Sequence, residues 1–330
     1  MPSVLTTTEF GVPGNKTQVS RIGLGTMGMS IVYGETPNDD DSVKVLNHAI
    51  DIGCTFWDTA NIYGLGHNER LLSRVLKERR SEVFLCTKFG VLTSEGGDDF
   101  KGAFVQRITG VSGKPDYVRK CFEESIERLG VNTIDLYYMH RMDPETPIED
   151  TIAAMAELVN EGRVQYLGLS NCTAEELRRA YAVHPIAAVQ LLYNAWAPGI
   201  ETDGLLDACR KLDVTIVAYC PLGAGALTGK LAPIDSLPDH DIRRIFPQFH
   251  EDKLKGAANL VEAFEIVAEE HDCTPSQVAL AWLLAKDNVI PIPGTKQIKY
   301  LDQNCAAAQI TLSDEELAEL RIKIAENAIN

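Results

Sequence analysis

Thr55-Phe-Trp-Asp-Thr-Ala-Asn-Ile-Tyr-Gly-Leu-Gly-His-Asn-Glu69 is the stretch that decides how this chain folds. It starts as an apolar strand, places a carboxylate, Asp58, where that strand should end, and puts a phenol, Tyr63, in the Gly-bounded loop that follows. Two further apolar runs end the same way, 83–88 in Lys88 and 134–140 in His140. If the strands are parallel neighbours, the four groups gather at the C-terminal edge of one sheet. In a (β/α)8 barrel that edge is the face where catalytic residues lie. Four titratable groups of different type at three consecutive strand ends are poorly explained by packing alone.

Composition narrows the classes. The 330 residues can bury a large core, and Lys+Arg of 31 against Asp+Glu of 47 leave a net charge of -16. No basic run stands out, which argues against nucleic acid and anionic membranes as partners. The eight cysteines are scattered without a C-x-x-C pair, as expected of reduced thiols in a cytoplasmic protein. The histidines show no H-E-x-x-H or similar spacing, so no metal is expected. The N-terminus lacks the layout of a signal peptide, and the longest uncharged run, 214–229, is broken by Pro221 and glycines.

Working outward, residues 10–20 read as a small hairpin around Pro13-Gly14, and 21–26 as the first barrel strand. Strand and helix then alternate. Helices are predicted near 40–52 (with Asp39 to Asp41 as cap), 68–79, 116–129, 148–160, 174–183, 203–211, 254–271 and 275–286. Strands are predicted at 55–58, 83–88, 134–139, 164–169, 187–191, 214–218 and 289–292. A polar, Gly-rich insertion of about 25 residues follows Lys88, a long loop covers 221–253, and the end is helix-rich. Eight β-then-α units without a break in composition predict one α/β domain, a single (β/α)8 TIM barrel with an N-terminal β-hairpin and extra C-terminal helices.

Gly23-Leu-Gly-Thr-Met-Gly28 matches a dinucleotide fingerprint in letters, but that fingerprint needs its glycines to open a helix at once. Here Gly34 and Pro37 intervene before a helix begins near Asp39. The strand-end groups suggest other chemistry. An ammonium near a phenol favours its ionised form and lowers its pKa, a carboxylate keeps the ammonium charged, and a histidine can orient a carbonyl oxygen. Asp58, Tyr63, Lys88 and His140 thus form a proton donor aimed at a carbonyl that awaits a hydride from a cofactor. Singly, each has a plainer reading: Asp58 as a helix cap, Lys88 as a solvated lysine, His140 as a core histidine, Tyr63 as a loop tyrosine.

Together with Gly168-Leu-Ser-Asn171, Tyr219-Cys-Pro-Leu-Gly223 and Ile292-Pro-Gly294, these motifs resemble the aldo-keto reductase superfamily over about residues 18–320. His140-Arg-Met-Asp-Pro-Glu-Thr-Pro147 is similar to the bacterial and fungal branch that includes pyridoxal reductases; potassium-channel β subunits share the scaffold more distantly. The resemblance implies reduction of an aldehyde or ketone by NADPH, with Tyr63 as general acid, Lys88 and Asp58 tuning it, and His140 orienting the carbonyl. It implies that Ser170, Asn171 and Gln190 hold the nicotinamide carboxamide and that Tyr219 stacks on its ring, with Gly25, Thr26, Met27 and Asp58 nearby. The segment from Cys220 and Pro221 through Leu222, Gly223, Gly225, Leu227 and Gly229 to Lys230 would cover the pyrophosphate. Gly294, Thr295, Lys296 and Gln297 would meet the adenosine phosphate, and Gln303 and Asn304 the adenine. Relatives often carry Lys-Arg where this chain has Lys296-Gln297, which weakens the expected preference for NADPH.

Met27, Phe89, Arg141 and Trp196 would line the substrate pocket with Tyr63 and His140. Their plainer readings are packing for Met27 and Trp196, a loop anchor for Phe89, and a partner to Asp143 or Glu145 for Arg141. Two other functions stay open: a cofactor-binding regulatory subunit of the potassium-channel β type, and a metal-dependent or phosphate-binding barrel enzyme. A small-molecule substrate and a monomer or weak homo-oligomer complete the expectation.

Overall fold

Pro13-Gly14 turns the chain at its start. Gly14, at φ +82°, supplies the positive φ the turn needs, and β1 (Thr7–Val12) pairs antiparallel with β2 (Asn15–Ser20). This hairpin begins three residues before the predicted span of 10–20 and ends with it. The computed structural model describes residues 5–31, 33–94 and 107–329.

The barrel strands are β3 (Leu24–Gly25), β4 (Phe56–Asp58), β5 (Phe84–Phe89), β8 (Ile134–Met139), β9 (Val164–Ser170), β10 (Ala188–Leu192), β11 (Thr215–Tyr219) and β12 (Val289–Pro291). They lie side by side in that order, and every pairing is parallel. The ring closes between its ends. Gly23 N donates to Pro291 O at 2.9 Å, and Gly25 bridges Gly294 in parallel. This seam explains the glycines that mimic a dinucleotide fingerprint. A Cβ on Gly23 would lie 2.8 Å from Phe56 O, and one on Gly25 2.8 Å from Ile292 O. They are there for close backbone approach.

Helices α1 (Asp39–Asp51), α2 (His67–Arg79), α3 (Pro115–Leu129), α4 (Ile148–Asn160), α5 (Ala174–Val183), α6 (Leu205–Leu212), α7 (Glu251–Glu270) and α8 (Pro275–Leu284) match the predicted ones within a few residues. Two more follow, α9 (Ile298–Ala306) and α10 (Asp314–Asn327). One cap differs from expectation. Asn38, not an aspartate, caps α1 by accepting from Asp41 N at 2.8 Å, while Asp39 to Asp41 occupy the first turn, where negative charge suits the helix dipole.

The insertion after Lys88 holds a second hairpin, β6 (Val91–Thr93) with β7 (Ile108–Val111), which the sequence reading did not predict. The remainder of that insertion, 95–106, lies outside the described residues. The segment 221–253 is not plain loop either. It carries short turns at Gly223–Thr228, Ile234–Ser236, Ile242–Arg244 and Pro247–Phe249, and α7 begins within it.

Inside the barrel, Phe10 of the hairpin meets Phe56 and Tyr166 edge-on at 5.8 and 5.5 Å. Phe56 and Phe84 begin β4 and β5, so the hairpin closes the N-terminal end with apolar rings. The polar groups are left at the C-terminal end.

Candidate active site

The chain after β4 runs along β5. Thr59 N donates to Cys86 O at 3.0 Å and Asn61 N to Lys88 O at 3.1 Å, which returns Tyr63 over Lys88. Lys88 Nζ stands 2.5 Å from Asp58 Oδ1, 2.8 Å from Thr59 O and 3.2 Å from Tyr63 Oη. Its three donors therefore have three acceptors. The phenol oxygen accepts from Lys88, which leaves its own O–H free to donate. His140, directly after β8, meets the Tyr63 ring edge-on at 5.9 Å. The four strand-end groups of the sequence thus form one cluster.

Burial dominates the electrostatics. It raises the Asp58 carboxyl, which Lys88 and Gln190 hold partly in check. For Lys88, burial works against the charge, but Asp58 and Tyr63 outweigh it and the ammonium stays firmly protonated. The phenol corrects an expectation. Burial raises Tyr63 more than Lys88 lowers it, and Asp58 adds to the rise, so the net shift is upward. At neutral pH Tyr63 is a complete phenol, which is the form a proton donor must have. Burial, Lys88 and Arg141 all push His140 well below the ordinary histidine range, and its buried Nδ1 has no hydrogen-bond partner among the described residues. Its ring carbon protons, followed by NMR, should show no titration near the usual pKa of ~6.5. A midpoint there would mean an imidazole open to water.

Ser170, Asn171, Gln190 and Tyr219 lie beside this cluster. Asn171, at φ +55°, donates from Nδ2 to Ser170 Oγ at 2.8 Å and accepts from Tyr219 Oη at 2.9 Å. Gln190 donates from Nε2 to Asp58 Oδ2 at 2.7 Å, a link the sequence reading missed. Burial pushes the Tyr219 hydroxyl up to about 12, so it too is neutral.

The other expected cofactor residues divide. Pro221, Gly223 and Leu227 are buried, Leu222 and Gly225 partly so, while Gly229 and Lys230 are exposed. Cys220, at φ +47°, adjoins Tyr33 Oη at 3.6 Å. Thr26 is fully buried, with its hydroxyl 2.8 Å from Asp58 O and 2.5 Å from Asn68 Oδ1, while its N–H donates to Asp58 O at 3.0 Å and its carbonyl accepts from Asn68 Nδ2 at 3.0 Å, so its polar groups are all engaged within the protein. Gly25 serves the seam. Gly294 and Gln297 are exposed, Thr295 and Gln303 half-buried, Asn304 buried. Lys296 is engaged: its ammonium donates to Glu35 O at 2.7 Å and to Tyr33 O.

The long segment is tied across the mouth at the same place. Asp241 Oδ2 accepts from Gly34 N at 2.7 Å, and Arg243 grips both oxygens of Asp241 at 2.9 and 2.6 Å.

The residues expected to line the substrate pocket have different surroundings. Met27 packs against a small buried cluster that includes Ile62 and Tyr63. Phe89 is a correction. Strand alternation turns it outward when Lys88 points in, and it is fully buried, stacked on Tyr137 at 5.0 Å. Trp196 is 2% exposed and sits edge-on to Phe249 at 5.9 Å, under the long segment. Arg141 is exposed, and the plainer reading, a tie to Asp143 or Glu145, is not seen among the described residues.

Asn68 and Glu69 also matter and were not singled out by sequence. Asn68 Oδ1 lies within 2.6 Å of Thr59 Oγ1, and Glu69, fully buried, accepts from Thr87 and Arg128 at 2.7 and 2.6 Å. Polar residues in the first turn of an otherwise amphipathic helix were the available signal. Among the described residues there is no group of three His, Cys, Asp or Glu placed for a metal, and no helix long and apolar enough to cross a membrane.

Known proteins resemble this chain over most of its length. The chain is 47% identical over 320 residues to the aldo-keto reductase str7 of Strobilurus tenacellus, covering 94% of this chain and 90% of that one. It is 42% identical to the aldo-keto reductase yakc [NADP(+)] of Schizosaccharomyces pombe, covering 93% and 89%. Among solved structures, a glycerol dehydrogenase from Gluconobacter oxydans superposes with a TM-score of 0.86 at 29% identity, over 98% of this chain and 96% of that one. An aldo/keto reductase from Klebsiella pneumoniae in complex with NADP and acetate gives 0.71 at 28%, over 97% and 96%. The pattern of the aldo/keto reductase family matches residues 21–325, and with the barrel and its strand-end cluster in place, this chain belongs to that family of oxidoreductases.

Proposed function

We propose that this protein reduces the carbonyl group of small-molecule aldehydes or ketones with NADPH. The observation that carries the reading is the Lys88 ammonium, held at 2.5 Å by Asp58 and placed 3.2 Å from a protonated Tyr63 hydroxyl. NADPH supplies the hydride when bound. Tyr63 gives its proton to the carbonyl oxygen, and Lys88, kept charged by Asp58, stabilises the phenolate left behind. His140, neutral, orients the carbonyl through a ring N–H.

The donor set suits such a cofactor. Ser170, Asn171 and Gln190 would hold the carboxamide, Tyr219 would stack on the ring, and the segments 220–230 and 294–297 with Gln303 and Asn304 would take the remainder. The NADP(+) named for the fission-yeast relative and the NADP bound by the Klebsiella neighbour support the choice. Eight free cysteines, several buried, suit a cytoplasmic setting. Reduction of para-nitrobenzaldehyde with consumption of NADPH tests the reading. A chain that binds NADPH and turns over no aldehyde would fit a regulatory subunit instead.

The cation for the extra phosphate of NADPH must be local in so acidic a chain. Lys296 has to release two carbonyls to serve it, so the gain sits at the low end of a charge-assisted contact, about tenfold in affinity. Lys296→Ala should weaken NADPH binding by about that factor and leave NADH nearly unchanged. Gln297→Arg should strengthen NADPH by supplying a forked donor. Equal responses of both cofactors to Lys296→Ala would place the phosphate site elsewhere.

A further inference from the structure

We infer that Arg141 makes the site selective for carbonyl substrates that carry an oxyanion, a carboxylate or a phosphate ester. This rests on the carbonyl-reductase reading above. Arg141 follows His140 just past the C-terminal end of β8, so its backbone lies at the mouth of the barrel, next to the residue whose imidazole faces Tyr63. The backbone there is fixed, since His140 N donates to Phe89 O at 2.7 Å. The side chain is exposed, and among the described residues it has no carboxylate partner and no hydrogen-bond acceptor.

The acids nearest in sequence do not claim it. Asp143 accepts from Gly113 N at 2.8 Å, Glu145 N at 2.9 Å and Thr146 Oγ1 at 2.7 Å. Glu145 forms no ion pair among the described residues. In the same sector Arg119 and Arg179 are paired, with Glu161 at 2.7 Å and Glu149 at 2.8 Å. Three other cations near the mouth are engaged: Lys88 by Asp58, Arg243 by Asp241, Lys296 by backbone carbonyls. A guanidinium fork with no partner among the described residues, in a chain of net charge -16, has the chemistry of a recognition group. Its fork fits a carboxylate or phosphate in two parallel hydrogen bonds. Its charge also reaches the site, since it adds to the burial that lowers His140 and partly offsets the burial that raises Tyr219.

The test pairs neutral and anionic substrates: para-nitrobenzaldehyde against para-carboxybenzaldehyde, and pyridoxal against pyridoxal phosphate. The readout is the ratio of kcat/KM, anionic over neutral. Arg141→Gln should lower that ratio about tenfold, the low end for an exposed charge-assisted pair, mainly through KM of the anion. Arg141→Lys should keep part of the preference, and added salt should shrink it in the parent chain. A fall in only one pair identifies which oxyanion is taken. An unchanged ratio in both pairs, with para-nitrobenzaldehyde still reduced, overturns the inference and leaves the reductase reading intact. No reduction of any aldehyde by the parent chain overturns both.

Discussion

Tyr63→Phe is expected to lower kcat by about 10²–10⁴-fold and to leave NADPH binding near its parent value. The change removes one oxygen and nothing else. The ring is 8% exposed, keeps its edge contact with His140 at 5.9 Å and stays under the Lys88 ammonium, 4.9 Å from the ring centroid. What is lost is the O–H that the cluster has free to donate, together with one acceptor for Lys88. That second loss leaves an ammonium donor unmatched, at a cost of about 1–3 kcal/mol. Melting curves therefore belong beside the kinetics, and the fall in kcat must exceed what partial unfolding explains. Fluorescence titration with NADPH reports the cofactor. Turnover within a few-fold of the parent chain would remove Tyr63 from the role of acid and pass it to water or another residue.

The upward shift of Tyr63 sharpens this expectation. A phenol brought down toward neutrality would be partly ionised and a poor donor. Burial prevents that, and the stabilising charge of Lys88 acts only once the proton has left.

How far the sequence revealed this site depends on the range of each contact. Asp58, Lys88 and His140 were legible because a polar residue at the end of an apolar strand has a fixed address in a parallel barrel. Tyr63 was legible through its loop, whose glycines at 64 and 66 adopt positive φ. Register across distant strands was not. The bond from Gln190 to Asp58 joins residues 132 apart in sequence, and nothing local announces it. Phe89 shows the opposite failure. It neighbours Lys88 in sequence, but strand alternation sends neighbours to opposite faces. The pairing of Gly23 and Gly25 with β12 likewise needs the closed ring before its reason is visible. The net shift of Tyr63 depends on how much water the fold excludes, which the order of residues does not state.

Lys88→Met is expected to be at least as damaging to turnover as Tyr63→Phe, and to affect stability as well. The side chain is fully buried and serves three acceptors, Asp58, Thr59 O and Tyr63. Without it the phenolate formed in the reaction has no compensating charge, so the loss in kcat should reach about 10²–10⁴-fold or more. Removing one partner of a buried pair also leaves the other uncompensated, typically at about 3–5 kcal/mol. Here the abandoned group is Asp58, still hydrogen-bonded by Gln190 and already raised by burial. Losing the ammonium raises it further, and the carboxyl relieves the penalty by taking up a proton. A carboxyl whose folded pKa lies above its unfolded value of ~3.9 binds more protons in the folded state, so stability is lost as pH rises toward the folded pKa. The Tm of Lys88→Met should therefore fall more steeply than that of the parent chain from mildly acidic to neutral pH. Adding Asp58→Asn should remove that extra slope and recover part of the stability without restoring turnover. A single variant with parent-like pH dependence, or a double variant that regains activity, would show that Lys88 and Asp58 do not act as a buried, charge-coupled pair.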